Sequence, residues 1–513
     1  MLDASVSAQL EQVFAKLPEP ITIVVAPTTH AARAELMELL GAIARASPML
    51  SVVERGDPDP GIRVHLERSD TILPVVFRGV PGGHELTSFV LAILHASGLG
   101  KRPDEGVLDR VRALAGPAEI RTYVSLSCEN CPDVVQALGL VALTHGEVRH
   151  TMIDGALVPD EVARLGIQGV PAVYVGDTLV HSGKATFSEL VSKLEAALGA
   201  RALAPREART YDVVVLGGGP AGASAAIYTA RKGLKTAIVT ENVGGQLRET
   251  LGIENMIGQK RTEGARLAAD LEAHVGAYGV EVLAHRKVVR VVQGEPKVLE
   301  IEGGERVLAG AVIVATGAKW RELGVPGEKE YLGRGVAFCP HCDGPFYAKR
   351  RIAVVGGGNS GVEAAIDLAG IAAHVTLFEY AESLKADDVL QKKLRALPNV
   401  EVVLSARTTE IRGDGAKVTA LAFEDRGTGE ARELALDGVF VQIGLSPNSA
   451  VVADVVRTNR YGEIEVDTKG RTSAPGIYAA GDVTTVPYKQ IVIAMGEGAK
   501  VALSAFEDRM KAA

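Results

Sequence analysis

The chain holds four cysteines in 513 residues, and all four stand in two Cys-x-x-Cys pairs, Cys128-Glu129-Asn130-Cys131 and Cys339-Pro340-His341-Cys342. Two thiols three positions apart at a helix start can close and open a disulfide, and the helix N-terminus favours the attacking thiolate. No cysteine remains for a structural bridge or an isolated nucleophile, so thiol-disulfide exchange is the chemistry these residues predict. Free thiols of this kind fit a reducing compartment, which makes the cytoplasm the expected location. Four thiolates can also hold zinc, but such sites separate their pairs by about 15–20 residues. Here 207 residues intervene, and no metal is expected.

The second pair lies close to two glycine-rich loops. Tyr211-Asp212-Val213-Val214-Val215-Leu216 reads as a buried parallel strand and runs into Gly217-Gly218-Gly219-Pro220-Ala221-Gly222 and an alanine-rich helix. Arg351-Ile352-Ala353-Val354-Val355 does the same into Gly356-Gly357-Gly358-Asn359-Ser360-Gly361. In each G-x-G-x-x-G the glycines permit a tight turn, close approach to a pyrophosphate and near packing of helix on strand, with the helix N-terminus toward the phosphates. Two such units predict two dinucleotides. At the end of the following strand a carboxylate holds a ribose 2′-hydroxyl, whereas an arginine accepts a 2′-phosphate. Glu379 closes His374-Val375-Thr376-Leu377-Phe378, and no arginine follows before Arg395, which favours NADH over NADPH. Glu241 is the analogous candidate after the first loop, with an exposed loop carboxylate as the plain alternative.

The remaining sequence must position these groups, and it begins with a duplication. Ile21-Thr22-Ile23-Val24-Val25-Ala26 and Arg121-Thr122-Tyr123-Val124-Ser125-Leu126, offset by 100 residues, both read strand, turn, helix. Where the second copy has Cys128 and Cys131 the first has Thr28 and Ala31, so the first is a silent duplicate. Each continues to an apolar strand with a proline near its start, Ile72-Leu73-Pro74-Val75-Val76-Phe77 and Gly169-Val170-Pro171-Ala172-Val173-Tyr174. Both copies resemble the thioredoxin-like fold, which implies that Pro171 forms a cis bond lying against the Cys-x-x-Cys pair. Ser188–Leu198 reads as a closing helix and 199–209 as a linker.

The composition limits the alternatives. With 55 basic and 63 acidic residues the net charge is −8, without long runs of one sign, which leaves no footprint for a nucleic-acid backbone. Met1–Pro20 reads as an amphipathic helix and not a secretory signal, and no window reaches eighteen uninterrupted apolar residues, so neither export nor membrane insertion is expected. The length exceeds one hydrophobic core.

Ala315-Thr316-Gly317 and Ala480-Gly481-Asp482 resemble motifs of flavin disulfide reductases, and they flank the second nucleotide unit, which is therefore inserted into the first. Through Gly244-Gly245-Gln246-Leu247, Glu254-Asn255, Cys339-Pro340-His341-Cys342-Asp343-Gly344 and Gly481-Asp482 this half is similar to low-molecular-weight thioredoxin reductase. Adding Ser127–Leu138, Cys339–Pro345, Ala315–Trp320 and Val486-Pro487-Tyr488-Lys489-Gln490, the chain resembles, nearly end to end, the family of alkyl hydroperoxide reductase flavoproteins. One departure is Glu129, where histidine is common; an acid there disfavours the Cys128 thiolate.

The resemblance implies an α/β chain of two tandem thioredoxin-like folds followed by FAD- and NAD-binding Rossmann-like domains of the thioredoxin reductase type. The expected boundaries are 1–115 for the degenerate and 116–198 for the redox-active fold, 199–209 for the linker, 210–326 and 446–513 for the FAD domain, and 327–445 for the NAD domain. FAD is expected at Gly217, Gly219, Pro220, Ala221, Gly222, Glu241, Gly245, Gln246, Asn255, Thr316, Gly317, Gly481, Asp482 and Gln490, with Asp482 on its ribityl chain. NADH is expected at Gly356, Gly358, Asn359, Ser360, Gly361 and Glu379. Cys342 takes electrons from flavin, Cys339 is the outward thiol and His341 tunes the thiolates; Asp343, adjacent to the pair, is the candidate for the accompanying proton, with a turn aspartate before Gly344 and Pro345 as the plain alternative. Electrons then pass to Cys128–Cys131, near a carboxylate that Glu85 matches, and on to the disulfide of a partner peroxiredoxin, after a rotation of the nucleotide domain. A homodimer through the FAD domains is also implied. Three other functions remain open: a thioredoxin or glutaredoxin reductase, an NADH oxidase needing no Cys128, and a redox-sensing binding protein with little turnover.

Overall fold

The two copies at the N-terminus fold to one topology. The computed structural model describes residues 3–128, 130–167, 169–204, 206–250 and 252–512, excepting the side chains of Glu249, His341, Cys342 and Ala512. Glu129, His341 and Cys342, singled out above, are thus not described as side chains. After α1 (Ala4–Phe14), capped by the Asp3 carboxylate, the first repeat runs β1 (Ile21–Val25), α2 (Arg33–Arg45), β2 (Leu50–Glu54), β3 (Val64–Arg68), β4 (Thr71–Arg78) and α3 (Leu86–Ala96). Then α4 (Glu105–Ala113) leads to β5 (Ala118–Val124), α5 (Cys131–His145), β6 (Val148–Asp154), α6 (Pro159–Leu165), β7 (Ala172–Val175), β8 (Thr178–Ser182) and α7 (Phe187–Leu198). In each repeat the first strand pairs in parallel with the second and antiparallel with the third, and the third and fourth strands form a hairpin.

β4 pairs in parallel with β6, so both repeats share one eight-stranded sheet in the order β2-β1-β3-β4-β6-β5-β7-β8. The core of the first repeat, with Phe77 and Phe89 in edge contact at 5.1 Å, includes Cys131 and Val135 of α5. The silent copy therefore supplies the apolar backing of the redox helix. Pro132 in the first turn of α5 lacks an N–H that the helix would leave unpaired there, and a capping box between Thr186 and Glu189 starts α7.

This topology corrects one expectation. Ile72–Phe77 lies in β4, the last strand of its repeat, whereas Pro171 precedes β7, the third strand of the other. The counterpart of Val170-Pro171 in the first repeat is the segment before β3, around Gly61. Short apolar runs carry the same signature whichever hairpin strand they form. The Val170–Pro171 peptide is cis, as expected.

The second half begins with β9 (Arg209–Gly218), α8 (Pro220–Ala230), β10 (Thr236–Val243), α9 (Gly264–Ala277), β11 (Glu281–Leu283), β12 (Val288–Val292), β13 (Lys297–Ile301) and β14 (Arg306–Val314). An insertion follows: β15 (Ala318–Trp320), β16 (Val336–Ala337), α10 (Pro340–Asp343), β17 (Arg351–Val355), α11 (Asn359–Ala369), β18 (His374–Phe378), α12 (Asp388–Arg395) and β19 (Val400–Val403). It continues through β20 (Ala406–Gly413), β21 (Val418–Asp425), β22 (Ala431–Ala435), β23 (Gly438–Val441) and β24 (Leu445–Pro447). The chain then returns as β25 (Ile477–Ala479) and α13 (Ile491–Ala512), and β25 joins β14 in parallel in the sheet β11-β10-β9-β14-β13-β12. The insertion has its own parallel sheet, β16-β23-β17-β18-β19, with the antiparallel β20-β21-β22 beside it in sequence.

The chain divides into two compact units, Met1–Ala208 with Leu283–Lys287 and Ile301–Arg306, and Arg209–Val282 with Val288–Glu300 and Val307–Ala513.

Candidate functional site

Cys128 and Cys131 form a disulfide with their Cα atoms 5.5 Å apart. β5 delivers Cys128 through the turn 125–128, closed by a bond from the Cys128 N–H to the Ser125 carbonyl at 2.9 Å. Cys131 is the first residue of α5 and wholly buried, while Cys128 is half-buried, with its Sγ 3.8 Å from the Val170 carbonyl oxygen. The cis step before β7 thus lies against the pair. A thiol attacking from solvent meets Cys128 first.

Glu85 ends the turn Gly83–Glu85, which is tied to this site by the His84 N–H donating to the Leu126 carbonyl at 3.2 Å. A side chain at Gly83 would fall 2.7 Å from that same carbonyl, and Gly83 also has φ +55°, so the close approach requires glycine. Glu85 is fully buried, and burial pushes its carboxyl up to about 7. Ser88 lies near enough to ease that rise but makes no hydrogen bond to either carboxyl oxygen, and neither oxygen has a partner among the described residues. A buried carboxyl left in this state exchanges a proton near neutrality.

The first glycine loop joins β9 to α8 at the C-terminal ends of parallel strands, where doubly wound sheets bind nucleotides. A side chain at Gly217 would meet the Ala315 carbonyl at 2.3 Å, and one at Gly222 the Gly217 carbonyl at 2.0 Å. Gly219, the N-cap of α8, faces open space instead. The loop is therefore locked from behind and bare in front, which fits a pyrophosphate on the α8 N-terminus.

The other residues expected at FAD gather in pairs. The Asn255 side-chain amide donates to Gln490 Oε1 at 3.0 Å across 235 positions of sequence, and the Gln246 amide donates to the Ala318 carbonyl. Thr316 spends its hydroxyl on the Asn448 carbonyl at 2.7 Å, and Asn448 returns a bond to the Thr316 carbonyl at 2.9 Å. Thr316 thus fixes the loop through its side chain. Asp482 lies inside the turn Gly481–Val483 and not at its cap, and burial raises its carboxyl while Lys489 opposes the rise. Glu241 falls within β10.

The second loop repeats the lock: a side chain at Gly361 would stand 1.8 Å from the Gly356 carbonyl, while Gly358 faces open space. Glu379 accepts the Gly357 N–H at 2.5 Å with one carboxylate oxygen and the Ala381 N–H at 2.8 Å with the other. The expected ribose carboxylate is thereby held rigidly at the loop. Asn359 exchanges two bonds with Asp387, at 2.9 and 3.1 Å, so its side chain braces the loop. Ser360 is exposed in the first turn of α11.

Cys339 is half-buried and disulfide-bonded. It precedes the single turn of α10, closed by the Asp343 N–H on the Cys339 carbonyl at 2.9 Å. Burial pushes the Asp343 carboxyl up to about 6, against an opposing bond from the Cys339 backbone, and burial, helped by the Asp343 charge, pushes the Tyr347 hydroxyl up to about 12. Asp343 therefore stands beside Cys339 with a proton affinity near the working range.

Residues 211–498 match the pyridine nucleotide-disulphide oxidoreductase family, and 118–195 match a thioredoxin domain. The F subunit of alkyl hydroperoxide reductase from Pseudomonas putida is 49% identical over 511 residues, covering 99% of this chain and 98% of that one. The chain belongs to the family of alkyl hydroperoxide reductase F subunits. A Bacillus subtilis protein called NADH dehydrogenase is 46% identical over 509 residues, covering 99% of each. Thioredoxin reductase from Streptococcus pyogenes superposes with TM-score 0.56 at 36% identity, covering 60% of this chain and all of that one. As a member of this alkyl hydroperoxide reductase family the chain is a flavoprotein oxidoreductase that uses pyridine nucleotide and redox disulfides.

Three features of this reductase escaped the sequence. Gln442 donates to the Phe338 carbonyl at 2.6 Å, immediately before Cys339. Trp320 stacks on Phe338 with centroids 6.0 Å apart. Asn448 braces Thr316, as described above. Each joins positions more than a dozen residues apart, and no local pattern announces them.

Proposed function

We propose that the chain is an NADH-dependent disulfide reductase that delivers electrons to the disulfide of a partner peroxiredoxin and so supports hydroperoxide removal. The observation that carries this reading is the half-buried Cys128 on a helix-opening disulfide, in a chain that also holds two locked glycine loops. Bound FAD, held by the residues around Gly217–Gly222 and Asp482, supplies the two-electron link from NADH to the Cys339–Cys342 pair. Residues 356–361 and Glu379 hold NADH.

The thiol steps balance as two exchanges. Cys339 thiolate attacks Cys128 Sγ, forming a mixed disulfide and releasing Cys131 thiolate. Cys342 thiolate then attacks Cys339 Sγ, which restores the 339–342 disulfide and releases Cys128. Asp343 takes the proton from the Cys339 thiol, and Glu85 serves the second pair in the same way. Reduced Cys128 attacks the partner's disulfide and Cys131 resolves it. The boundaries 1–115, 116–198, 210–326 with 446–513, and 327–445 remain the proposed domains, and a cytoplasmic homodimer the proposed form. Among the described residues no helix is long and apolar enough to cross a membrane, and no cluster of His, Cys, Asp or Glu suits a metal.

The test is anaerobic NADH consumption against a chromogenic disulfide by wild type and by Cys128→Ser/Cys131→Ser. Lost turnover with flavin still reduced by NADH supports the relay. Undiminished turnover would instead make Cys339 and Cys342 the direct donors, as in a thioredoxin reductase.

A further inference from the structure

We infer that Arg426 and Tyr380 form a stacked clamp for the adenine of the nicotinamide dinucleotide. This rests on the proposal that the second glycine loop and Glu379 hold NADH. Tyr380 directly follows Glu379 at the end of β18, and it is 57% exposed. Arg426 comes from the turn after β21, 46 positions later, and its guanidinium carbon stands 3.9 Å above the Tyr380 ring centroid. Its Nη1 donates to the Tyr380 carbonyl at 2.8 Å, and its backbone N–H donates to the Ser405 carbonyl at 2.7 Å. The Ser405 N–H in turn donates to the Ala381 carbonyl, and the Ala406 N–H to that of Glu379, so this whole rim is fixed by backbone bonds.

Among the described residues no carboxylate is paired with the Arg426 side chain. An exposed guanidinium held over an exposed ring has the form of a platform for a base. Ribose bound at the Glu379 carboxylate carries its adenine on the next atom of the sugar, which brings the base within reach of the residue that follows. Because the guanidinium is already oriented, stacking on it costs little side-chain entropy. The arginine that sequence spacing failed to find near Glu379 thus arrives through the β21–β22 turn, and it serves the base.

The experiment is the affinity of the whole protein for ADP-ribose by calorimetry, with wild type, Arg426→Ala, Tyr380→Ala and Glu379→Gln. Flavin reduction by reduced nicotinamide mononucleotide, which lacks adenine, is measured alongside. Arg426→Ala and Tyr380→Ala are expected to weaken ADP-ribose about tenfold and to raise the KM for NADH alike. Both should leave kcat and reduction by the mononucleotide unchanged. Unchanged ADP-ribose affinity in Arg426→Ala, while Glu379→Gln weakens it, overturns the clamp and leaves the nucleotide site standing. Equal losses with both nucleotides would show a merely structural role and also overturn it. Failure of wild type to bind ADP-ribose at all removes the nucleotide reading and the clamp with it.

Discussion

The Thr28 hydroxyl donates to the Gly61 carbonyl at 2.7 Å, the topological position at which Cys128 Sγ faces the Val170 carbonyl at 3.8 Å in the other repeat. A redox contact and a plain hydrogen bond thus hold the same join, between the turn after the first strand and the start of the third. The first repeat has kept the join without the thiols. Besides supplying Glu85, it backs α5 with apolar side chains.

Thr28→Val tests that division. The Thr28 hydroxyl also accepts the His30 N–H at 3.0 Å, so the change leaves a carbonyl and an amide short of partners and costs about 1–2 kcal/mol of stability. Denaturant unfolding should show this loss, while NADH-to-disulfide turnover stays at the wild-type rate. A drop in turnover comparable to that of Cys128→Ser would place the Thr28 join in the chemistry after all.

Glu85 makes stability depend on pH. Its carboxyl is raised by burial from an ordinary 4.5 to about 7, so its contribution is fully present below pH 4.5 and is lost as pH rises through 7. Glu85→Gln removes the charge and not the volume, and the gap between variant and wild type should widen to about 3 kcal/mol by pH 8.5. Hydrogen exchange of amides in α3 and α5, measured in both proteins at pH 5 and 8.5, reads this directly. An identical gap at the two values would mean that the carboxyl titrates in its usual range.

What the sequence made legible was local. Cys128, Cys131 and Cys339, the loops at Gly217 and Gly356, and Glu379 at its strand end all depend on neighbours within one strand-turn-helix unit, and the structure places each in that unit. Asn255 and Gln490 belong to separate motifs, and they are bonded to each other. The shared eight-stranded sheet was not legible, because β4 pairs with β6 through backbone groups that any sequence provides. Pro74 and Pro171 both stand near the start of short apolar runs, and alternation cannot number the strands of a hairpin. Arg426 lay hidden because proximity to Tyr380 depends on how far the β21–β22 turn reaches.

The two glycine locks predict separable losses. Gly222→Ala sets a methyl 2.0 Å from the Gly217 carbonyl, and Gly361→Ala sets one 1.8 Å from the Gly356 carbonyl, distances at which backbone must move. The first variant should be purified with flavin depleted by at least about tenfold. The second should keep its flavin and show a KM for NADH raised by a similar factor. Flavin absorbance per chain and steady-state KM check both, and a reversed pattern would exchange the two nucleotide assignments.

Asp343 is the proposed proton acceptor of the first thiol pair. Its carboxyl, raised by burial to about 6 beside Cys339, is ionised at pH 7 yet basic enough to take the Cys339 proton as the thiol attacks. General-base assistance of this kind contributes about a hundredfold or more, so Asp343→Asn should slow disulfide reduction by about that factor while flavin content and reduction by NADH persist. In the wild type, kcat/KM for the disulfide should climb as pH passes through about 6, since only the ionised form accepts a proton, and the variant should lack that limb. A variant that keeps the limb would assign it to a thiol and leave Asp343 as a turn residue before Gly344 and Pro345.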